Sequence, residues 1–253
     1  MANSHRGAFT FVLHSHLPYA RQAGRWPHGE EWIHEAASET YVPLLITLHD
    51  LHQEGVLFKL TLGITPVLAE QLADPLVLNH FDIFLQDKIE RATSDVARFQ
   101  QSDDPRLSTA GWYQGFYRRI REAFHERFHR DLIGSFRALQ DAGRIEIATS
   151  AATHGYLPLL SRDSSVYGQL RSGVDAYKRH FGRQPRSIWL PECAYRPAYQ
   201  PDDGGPVRPG LEEFLAGLGL EVFFSETHTV EGGRPVGTAA GDAGGPYGAI
   251  ARR

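Results

Sequence analysis

The chain has little cysteine and no long apolar run. Its 253 residues include one cysteine, Cys193, which excludes a disulfide within the chain and the small secreted folds that depend on disulfides. No apolar stretch approaches the roughly 20 residues that span a bilayer, and the polar segment 1–7 lacks the apolar core of a signal peptide. These absences predict a cytoplasmic protein with no membrane partner.

The chain also lacks a strong charge of either sign. Its formal net charge is -4, and acidic and basic residues are interspersed without a run of lysine or arginine. A nucleic-acid partner is therefore not expected. What the sequence does contain is thirteen histidines and fourteen phenylalanines, a composition that suits a site rich in polar aromatic side chains.

Strand and helix patterns alternate along the chain. Short apolar runs predict strands at 8–13, 57–65, 145–150, 187–190 and 221–225. Longer stretches, some of them ended by glycine, predict helices at 35–54, 75–101, 113–142, 164–181 and 211–218. Such alternation is typical of an α/β fold with a mainly parallel sheet and helical crossovers. Residues 231–253 are rich in glycine and proline without periodicity, which predicts an irregular tail.

An acidic residue follows the fourth predicted strand. Pro191 cannot donate to a sheet ladder, so strand pairing is expected to end there. Glu192 would then lie at the carboxyl end of the strand, the edge at which α/β folds bind ligands and carry out chemistry. By residue type alone, a glutamate in this place is more often an ordinary loop residue. Its functional interpretation depends on histidines elsewhere in the chain.

Three histidines are predicted to share that edge. His14 and His16 follow the first strand, and residues two apart in an extended segment project from the same face. His154 stands where the third strand turns into a loop. A lone His-x-His pair is often a surface feature, but polar residues at the carboxyl ends of three strands predict one cluster. Its members are His14, His16, His154 and Glu192.

Three kinds of chemistry are open to this cluster. Three imidazoles and a carboxylate suit zinc, although no HExxH or CxxC spacing supports a metal site. Alternatively, the glutamate attacks the anomeric carbon of a sugar while the histidines bind its hydroxyl groups. A serine or cysteine nucleophile is the third option, but Cys193 has no base near it in sequence and is better interpreted as a small buried residue.

Flat aromatic side chains favour the sugar interpretation, because their apolar faces suit sugar rings. The candidate substrate-binding aromatics are Trp26, Trp32, Tyr156, Trp189 and Tyr195. For the first two of them, packing within a loop is an equally good interpretation.

Three segments resemble the motifs of glycoside hydrolase family 57, most of all those of its α-1,4-glucan branching enzymes. His14–Tyr19 (HSHLPY) resembles the first motif, Ala152–Tyr156 (ATHGY) the second and Trp189–Tyr195 (WLPECAY) the third. They occur in the family's order and spread over nearly the whole chain. The resemblance implies an incomplete (β/α)7 barrel, a retaining mechanism and no metal or organic cofactor.

The same resemblance implies roles for the clustered residues. Glu192 would be the nucleophile, and His14, His16 and His154 would line the donor subsite. The implied partner is an α-glucan such as amylose or glycogen. A branching enzyme cleaves an α-1,4 bond and passes the chain to a 6-hydroxyl, which forms an α-1,6 branch.

The sequence departs from the family in one important respect. A retaining enzyme needs a second carboxyl group, about 5–5.5 Å from the first, as acid and then base. In the family this is an aspartate in a fourth motif, and we expect these 253 residues to end before it. Asp202, Asp203 and Asp242 lie in glycine- and proline-rich stretches without the expected aromatic context. We likewise do not expect these residues to include the helical domain that follows the family's barrel.

We therefore expect residues 1–230 to form a partial catalytic barrel, without the later barrel strands and the helical domain. Unpaired strand edges and uncovered helix faces favour self-association or a complementing second chain. A truncated or split form of this kind is expected to have little transferase activity alone.

Other functions remain open. An α-amylase or 4-α-glucanotransferase of the same family would differ mainly in the acceptor, which is water or a 4-hydroxyl. A metal-dependent polysaccharide deacetylase also places histidines at strand ends, but it needs an acid in the first strand region, and 9–16 contain none. A non-catalytic glucan-binding fragment is a further alternative.

Overall fold

A computed structural model describes residues 9–24, 29–201 and 204–225 of the chain. The strands are β1 Val12–Ser15, β2 Leu60–Ile64, β3 Ile145–Ala148, β4 Ser187–Trp189 and β5 Val222–Phe224. The α-helices are α1 Glu31–Ala36, α2 Val42–Gln53, α3 Pro66–Leu72, α4 Pro75–Gln101, α5 Leu107–Glu122, α6 Leu132–Asp141, α7 Asp163–Phe181 and α8 Leu211–Gly217. Turns of π-helix follow α1 and α5 at Ala37–Tyr41 and Ala123–Arg127, and 3₁₀ turns occupy Leu157–Leu159 and Pro191–Cys193.

The chain divides into two compact units. One unit comprises Met1–His16, Leu60–Val67 and Glu146–Arg253. It contains the strands of the sheet and the helices α7 and α8. The other comprises Leu17–Lys59 and Leu68–Ile145 and is largely helical.

The strands of the sheet unit follow one another in chain order. β1 pairs in parallel with β2, with His14 opposite Gly63, and β3 lies on the other side of β2. β4 and β5 form a second parallel pair, which a parallel bridge between Thr149 and Ile188 joins to the end of β3. Within the described part of the chain the strands do not close into a barrel. The predicted α/β fold with parallel strands and helical crossovers is confirmed.

The first strand lies further along the chain than its composition predicts. The apolar run suggested 8–13, whereas β1 spans Val12–Ser15 and the rings of Phe9 and Phe11 are exposed. Pairing with β2 decides these bounds, and the spacing of apolar residues does not record the register of a partner strand. As a result, His14 is part of the strand rather than of the loop after it.

A second difference concerns the helix predicted at 113–142. The structure breaks it at His129 and Arg130, which both have positive φ angles, and α6 begins only at Leu132. Asp131 caps the new helix, because its carboxylate accepts a hydrogen bond of 2.8 Å from the backbone N–H of Gly134. The sequence contains this cap, but apolar residues recur every four positions without interruption across it and concealed it. They are Phe116, Ile120, Phe124, Phe128, Leu132 and Phe136.

The sheet unit has an aliphatic core between the sheet and its two helices. The fully or nearly fully buried members of this core are Ala151, Leu157, Val166, Leu170, Val174, Ile188, Leu190, Leu211, Leu215 and Leu220. Helix α7 comes close to the end of β3 at Gly173, whose carbonyl accepts a hydrogen bond of 3.2 Å from the Thr149 hydroxyl. A Cβ atom at position 173 would collide with the carbonyl oxygen of Ser150. Because Gly173 has no side chain, α7 can pack directly against the loop that follows β3.

The helical unit has a separate core built from phenylalanine. Phe81 on α4 meets Phe124 edge-on, with ring centroids 5.0 Å apart, and Phe136 on α6 is almost completely buried. Edge-to-face packing of this kind is favourable for aromatic pairs. These phenylalanines are packing residues rather than part of a site.

None of the helices in the described ranges is long and apolar enough to cross a membrane. The predicted irregular tail at 231–253 lies outside the described residues, as do Trp26, Asp202 and Asp203.

The close approach of α7 predicts opposite effects for two glycine substitutions in that helix. Gly173→Ala should destabilise the protein by about 1–3 kcal/mol, because the new methyl group forces α7 away from the Ser150 carbonyl. Gly168→Ala, where no atom lies within 4 Å of the added carbon, should stabilise it by roughly 0.5–1 kcal/mol through helix propensity. Urea unfolding of both variants checks this, and equal effects of the two would contradict the packing described here.

Candidate active site

Three imidazole rings meet at the carboxyl ends of β1 and β3. The ring centroids of His16 and His154 lie 4.0 Å apart, and those of His14 and His154 lie 5.0 Å apart, each pair with nearly parallel planes. His14 and His16 are 6.4 Å apart and also parallel, as expected for side chains two residues apart on an extended segment. The structure thus brings together the three histidines that the sequence predicted to cluster.

Aromatic rings from β4 and β5 extend this stack. Trp189 lies parallel to His14 with ring centroids 4.6 Å apart, and Phe224 lies 5.6 Å from Trp189. Four strands therefore contribute to one layer of flat side chains at the same edge of the sheet. Phe224 was not among the predicted site residues.

A glycine on β2 makes room for His14. Gly63 stands opposite His14 in the parallel pair, and a Cβ atom at position 63 would lie 3.1 Å from Nδ1 of that histidine. Nδ1 of His14 is buried and has no hydrogen-bond partner among the described residues. Packing against β2 and Trp189 therefore positions this ring. A glycine inside a strand is a known signal of close approach, and it was available in the sequence.

His16 and His154 are held by hydroxyl groups. Nδ1 of His16 lies 3.2 Å from the Thr65 hydroxyl, and Nδ1 of His154 lies 3.0 Å from the Ser150 hydroxyl. The backbone of His154 is in the left-handed region, with φ 57°, where it turns the side chain back over the strand end. Thr65 and Ser150 escaped the sequence reasoning, because buried hydroxyl groups carry no pattern of their own.

Glu192 follows β4 in an unusual backbone conformation. It has φ 56° and ψ 27°, and Cys193 after it has φ 53°. Successive left-handed residues other than glycine are uncommon and cost energy, and such strain concentrates at functional sites. The turn directs the carboxylate to the histidines, with Oε1 of Glu192 3.6 Å from Nε2 of His154.

The two side chains of this contact differ sharply in exposure. The Glu192 side chain is 72% exposed, whereas that of His154 is 4% exposed. The carboxylate therefore stands at the open side of the imidazole layer and is accessible to a ligand. The distance between Oε1 of Glu192 and Nε2 of His154 would permit an ion pair, but only if the imidazole were protonated.

Burial keeps the imidazoles neutral. Loss of hydration lowers the pKa of His14 to about 4, assisted by repulsion from His16. Burial also lowers the pKa of His154 to about 3, with further repulsion from His16 and His14. The pKa of His16 is lowered by burial as well, against an opposing attraction from Glu192. At neutral pH the contact of His154 with Glu192 thus joins an uncharged ring to a carboxylate.

The predicted aromatic residues lie in different places. Tyr156 follows His154 and is 41% exposed. Tyr195 packs elsewhere in the sheet unit: its ring stacks on Phe223, and its hydroxyl donates a 2.7 Å hydrogen bond to Glu212. Trp32 belongs to α1 of the helical unit and is 43% exposed. Trp26 lies outside the described residues.

The arrangement of the histidines does not resemble a metal centre. Stacked rings direct their nitrogen lone pairs along nearly parallel planes, whereas zinc ligands converge on one point. Within residues 9–24, 29–201 and 204–225, no group of three or more histidine, cysteine, aspartate or glutamate side chains could hold a metal ion.

Comparison with known proteins points to one family. The model of glycosyl hydrolase family 57 matches residues 10–243. The 1,4-alpha-glucan branching enzyme TK1436 of Thermococcus kodakarensis is 43% identical over 231 residues, which are 90% of this chain and 34% of that protein. The chain thus spans about a third of the length of that relative.

Solved structures agree with this similarity. The GH57-type branching enzyme of Pyrococcus horikoshii is 44% identical, with a TM-score of 0.81 over 88% of this chain and 42% of that one. The α-amylase AmyC of Thermotoga maritima is 30% identical, with a TM-score of 0.75 over 87% of this chain and 40% of that one.

The contact between β1 and β2 predicts the effect of filling the space beside His14. Gly63→Ala should displace the His14 ring from Trp189 and cost about 1–3 kcal/mol of stability. The proton shifts of the His14 ring, which stacks on the indole of Trp189, should change in NMR spectra. Gly217→Ala on α8, where the added carbon has open space, is the matched control. An unchanged His14 signal in the first variant would show that the ring is not held by this contact.

The neutral imidazoles predict a loss of stability in mild acid. In the unfolded chain a histidine binds a proton near pH 6.5, whereas folded His14 and His154 bind one only near pH 4 and 3. The unfolded state therefore binds more protons, and the free energy of unfolding falls as the pH drops from about 6.5 towards 4.

His154→Gln removes one of these histidines, so the unfolded state of the variant should bind about one excess proton fewer than that of the wild-type protein. The decline of the free energy of unfolding with falling pH should be shallower by that amount. Urea unfolding at pH values from 7 to 4.5 measures how the free energy of unfolding depends on pH in the wild-type protein and in the variant. The same slope in the variant and the wild-type protein would mean that His154 is already protonated when folded.

Proposed function

Because the chain belongs to glycosyl hydrolase family 57, we propose that it carries the nucleophile of an α-1,4-glucan branching reaction, with Glu192 in that role. The observation that supports this best is the exposed Glu192 carboxylate, 3.6 Å from a buried neutral His154 at the edge of an imidazole layer. Identities of 43% and 44% to branching enzymes support the choice of reaction.

The proposed reaction has two displacement steps. Oε1 or Oε2 of Glu192 attacks the anomeric carbon, and the bond between that carbon and O4 of the leaving glucan breaks. The departing O4 takes a proton from an acid. In the second step the 6-hydroxyl of another glucan attacks the same carbon, the ester to Glu192 breaks, and the hydroxyl proton passes to the base. Two inversions retain the α configuration.

Neutral imidazoles suit the donor subsite of such a reaction. His14, His16 and His154 offer nitrogen atoms that exchange hydrogen bonds with sugar hydroxyls, and they place no positive charge next to the nucleophile. A cationic imidazole at the position of His154 would pair with the carboxylate and reduce its nucleophilicity. Trp189 supplies an apolar face within the same layer.

The acid and base of this mechanism is assigned to no described residue. A retaining enzyme places its second carboxyl about 5–5.5 Å from the nucleophile. The contacts that the structure describes for Glu192 include no other carboxyl group. Our proposal is that residues 1–230 supply the nucleophile side of a catalytic barrel in the cytoplasm, with 231–253 as an irregular tail. Efficient transfer from amylose to glycogen-type branches then requires a second carboxyl group from elsewhere.

Hydrolysis is the second candidate, and the likeness to AmyC supports it. An α-amylase would share the first displacement and differ in the second, where water replaces the 6-hydroxyl. The residues around Glu192 act in the common first step, so they do not distinguish the two acceptors.

Covalent trapping tests the nucleophile without the second carboxyl. In an α-glucosyl fluoride that carries a further fluorine at C5, the fluoride at C1 leaves without needing a proton as Glu192 bonds to that carbon. A 5-fluoroglucosyl group should then remain on the peptide containing Glu192. Intact-protein and peptide mass spectrometry detect the adduct. Glu192→Gln should abolish it. Glu221→Gln, which changes an exposed carboxylate paired with Arg186, is the control and should keep it.

Three results would contradict the proposal. They are the absence of any adduct on the wild-type chain, an adduct on another residue, and an adduct that persists in Glu192→Gln. In a parallel incubation with amylose, the chain alone should form few α-1,6 linkages by NMR, and abundant branching would refute the need for a second carboxyl group from elsewhere.

A further inference from the structure

The Ser150 hydroxyl joins the ends of two strands. Its oxygen lies 2.8 Å from the carbonyl oxygen of Trp189 on β4 and 3.0 Å from Nδ1 of His154. A carbonyl oxygen only accepts hydrogen bonds, so the 2.8 Å contact requires the Ser150 proton to point at Trp189.

The direction of the Ser150 proton determines which ring nitrogen of His154 carries the hydrogen. A hydroxyl group has one proton, and the Ser150 proton is committed to the carbonyl. Towards His154 the serine oxygen is therefore an acceptor, and Nδ1 of His154 must donate. A neutral imidazole carries one N–H, so Nε2 of His154 bears a lone pair.

The contact with Glu192 supports the same tautomer independently. Nε2 of His154 and Oε1 of Glu192 are 3.6 Å apart, beyond the 2.7–3.2 Å of an N–H···O hydrogen bond. Two acceptors that face each other form no bond, and the longer distance is expected of them. A proton on Nε2 would instead draw the carboxylate into a short, charge-assisted hydrogen bond.

The other two histidines are not fixed in this way. Nδ1 of His16 contacts the Thr65 hydroxyl, for which the described residues provide no second acceptor. Nδ1 of His14 has no partner within the described part of the chain. Among these three rings, the described contacts determine the tautomer of His154 alone.

We propose that Ser150 is a positioning residue, which holds His154 as the Nδ1–H tautomer so that Nε2 accepts a hydrogen bond from a hydroxyl of the donor sugar. The Glu192 carboxylate then stays free of an internal hydrogen bond and available for attack. This role in catalysis rests on the proposed function, whereas the tautomer itself does not.

The surroundings of Ser150 allow little compensation. The residue is almost completely buried, and its carbonyl lies against Gly173 of α7. The backbone N–H of Trp189 donates a 2.8 Å hydrogen bond to the carbonyl of Thr149, which aligns the two strand ends. Loss of the hydroxyl would leave Nδ1 of His154 without an acceptor in a dry place, and moving the proton to Nε2 would pair it with Glu192.

Histidine ring NMR tests the tautomer directly. In protein labelled with 15N histidine, at neutral pH, Nδ1 of His154 should show the shift of a protonated nitrogen and Nε2 that of an unprotonated one. His154→Gln identifies the signals by their disappearance. Wild-type protein with the proton on Nε2 would overturn the proposal without any further variant.

Two serine variants show whether Ser150 is the cause. Ser150→Ala should move the proton to Nε2, which faces the Glu192 carboxylate. Ser187→Ala removes another buried serine hydroxyl, one that donates to Glu146, and should leave the His154 signals unchanged. An unchanged tautomer in Ser150→Ala overturns the proposal. Ser150→Thr keeps a hydroxyl and should keep the wild-type tautomer, so it serves as the test if the alanine variant does not fold.

The catalytic part has its own readout. The rate of trapping by the fluorinated glucosyl fluoride should fall at least about tenfold in Ser150→Ala, the loss expected when a buried hydrogen bond to the sugar is removed, and remain high in Ser150→Thr. A changed tautomer with an unchanged trapping rate would refute the role in catalysis. If wild-type protein is not trapped at all, the proposed function fails, while the NMR result still decides the tautomer.

Discussion

The site depends on keeping three imidazoles uncharged by burying them at one edge of a parallel sheet. Charged rings would repel one another at centroid distances of 4.0 and 5.0 Å, so neutrality is what permits the stack of His16, His154 and His14. Burial supplies it, since desolvation is the largest cause of each lowered pKa. Among the described residues, the same neutrality leaves the nearby Glu192 carboxylate without a cationic partner. The stacking of the rings and the uncharged surroundings of Glu192, the proposed nucleophile, therefore have one physical origin.

Residues with small side chains position the stack of imidazole rings. Gly63 on β2 leaves the space that His14 fills, and Gly173 on α7 lets the helix come close to the loop after β3. Ser150 in that loop bonds both to the carbonyl of β4 and to His154. The strand ends are thus tied together by hydrogen bonds and close packing, and the strained turn at Glu192 then places a carboxylate at the open side of the layer.

Much of this could be predicted from the sequence. Alternation of apolar strands and helices indicated the α/β fold, and the two-residue spacing of His14 and His16 indicated a shared face. Strand register could not be predicted, because it depends on a distant partner, and β1 was consequently placed too early. The break before α6 was missed because a repeat of apolar residues outweighed the cap at Asp131. Ser150 and Thr65 are invisible to pattern reasoning, since a buried hydroxyl acts through its neighbours. The roles of Trp32, Tyr156 and Tyr195 in substrate binding remain predictions.

The most direct test is a crystal structure of the Glu192→Gln variant with a maltooligosaccharide, in which binding proceeds without turnover. The account predicts a glucose whose anomeric carbon lies roughly 3–3.5 Å from the side chain at position 192, the distance of a reactive complex. A hydroxyl of the same glucose should lie within hydrogen-bond distance of Nε2 of His154. A saccharide bound away from the histidine layer, or one with its anomeric carbon directed away from position 192, would contradict it.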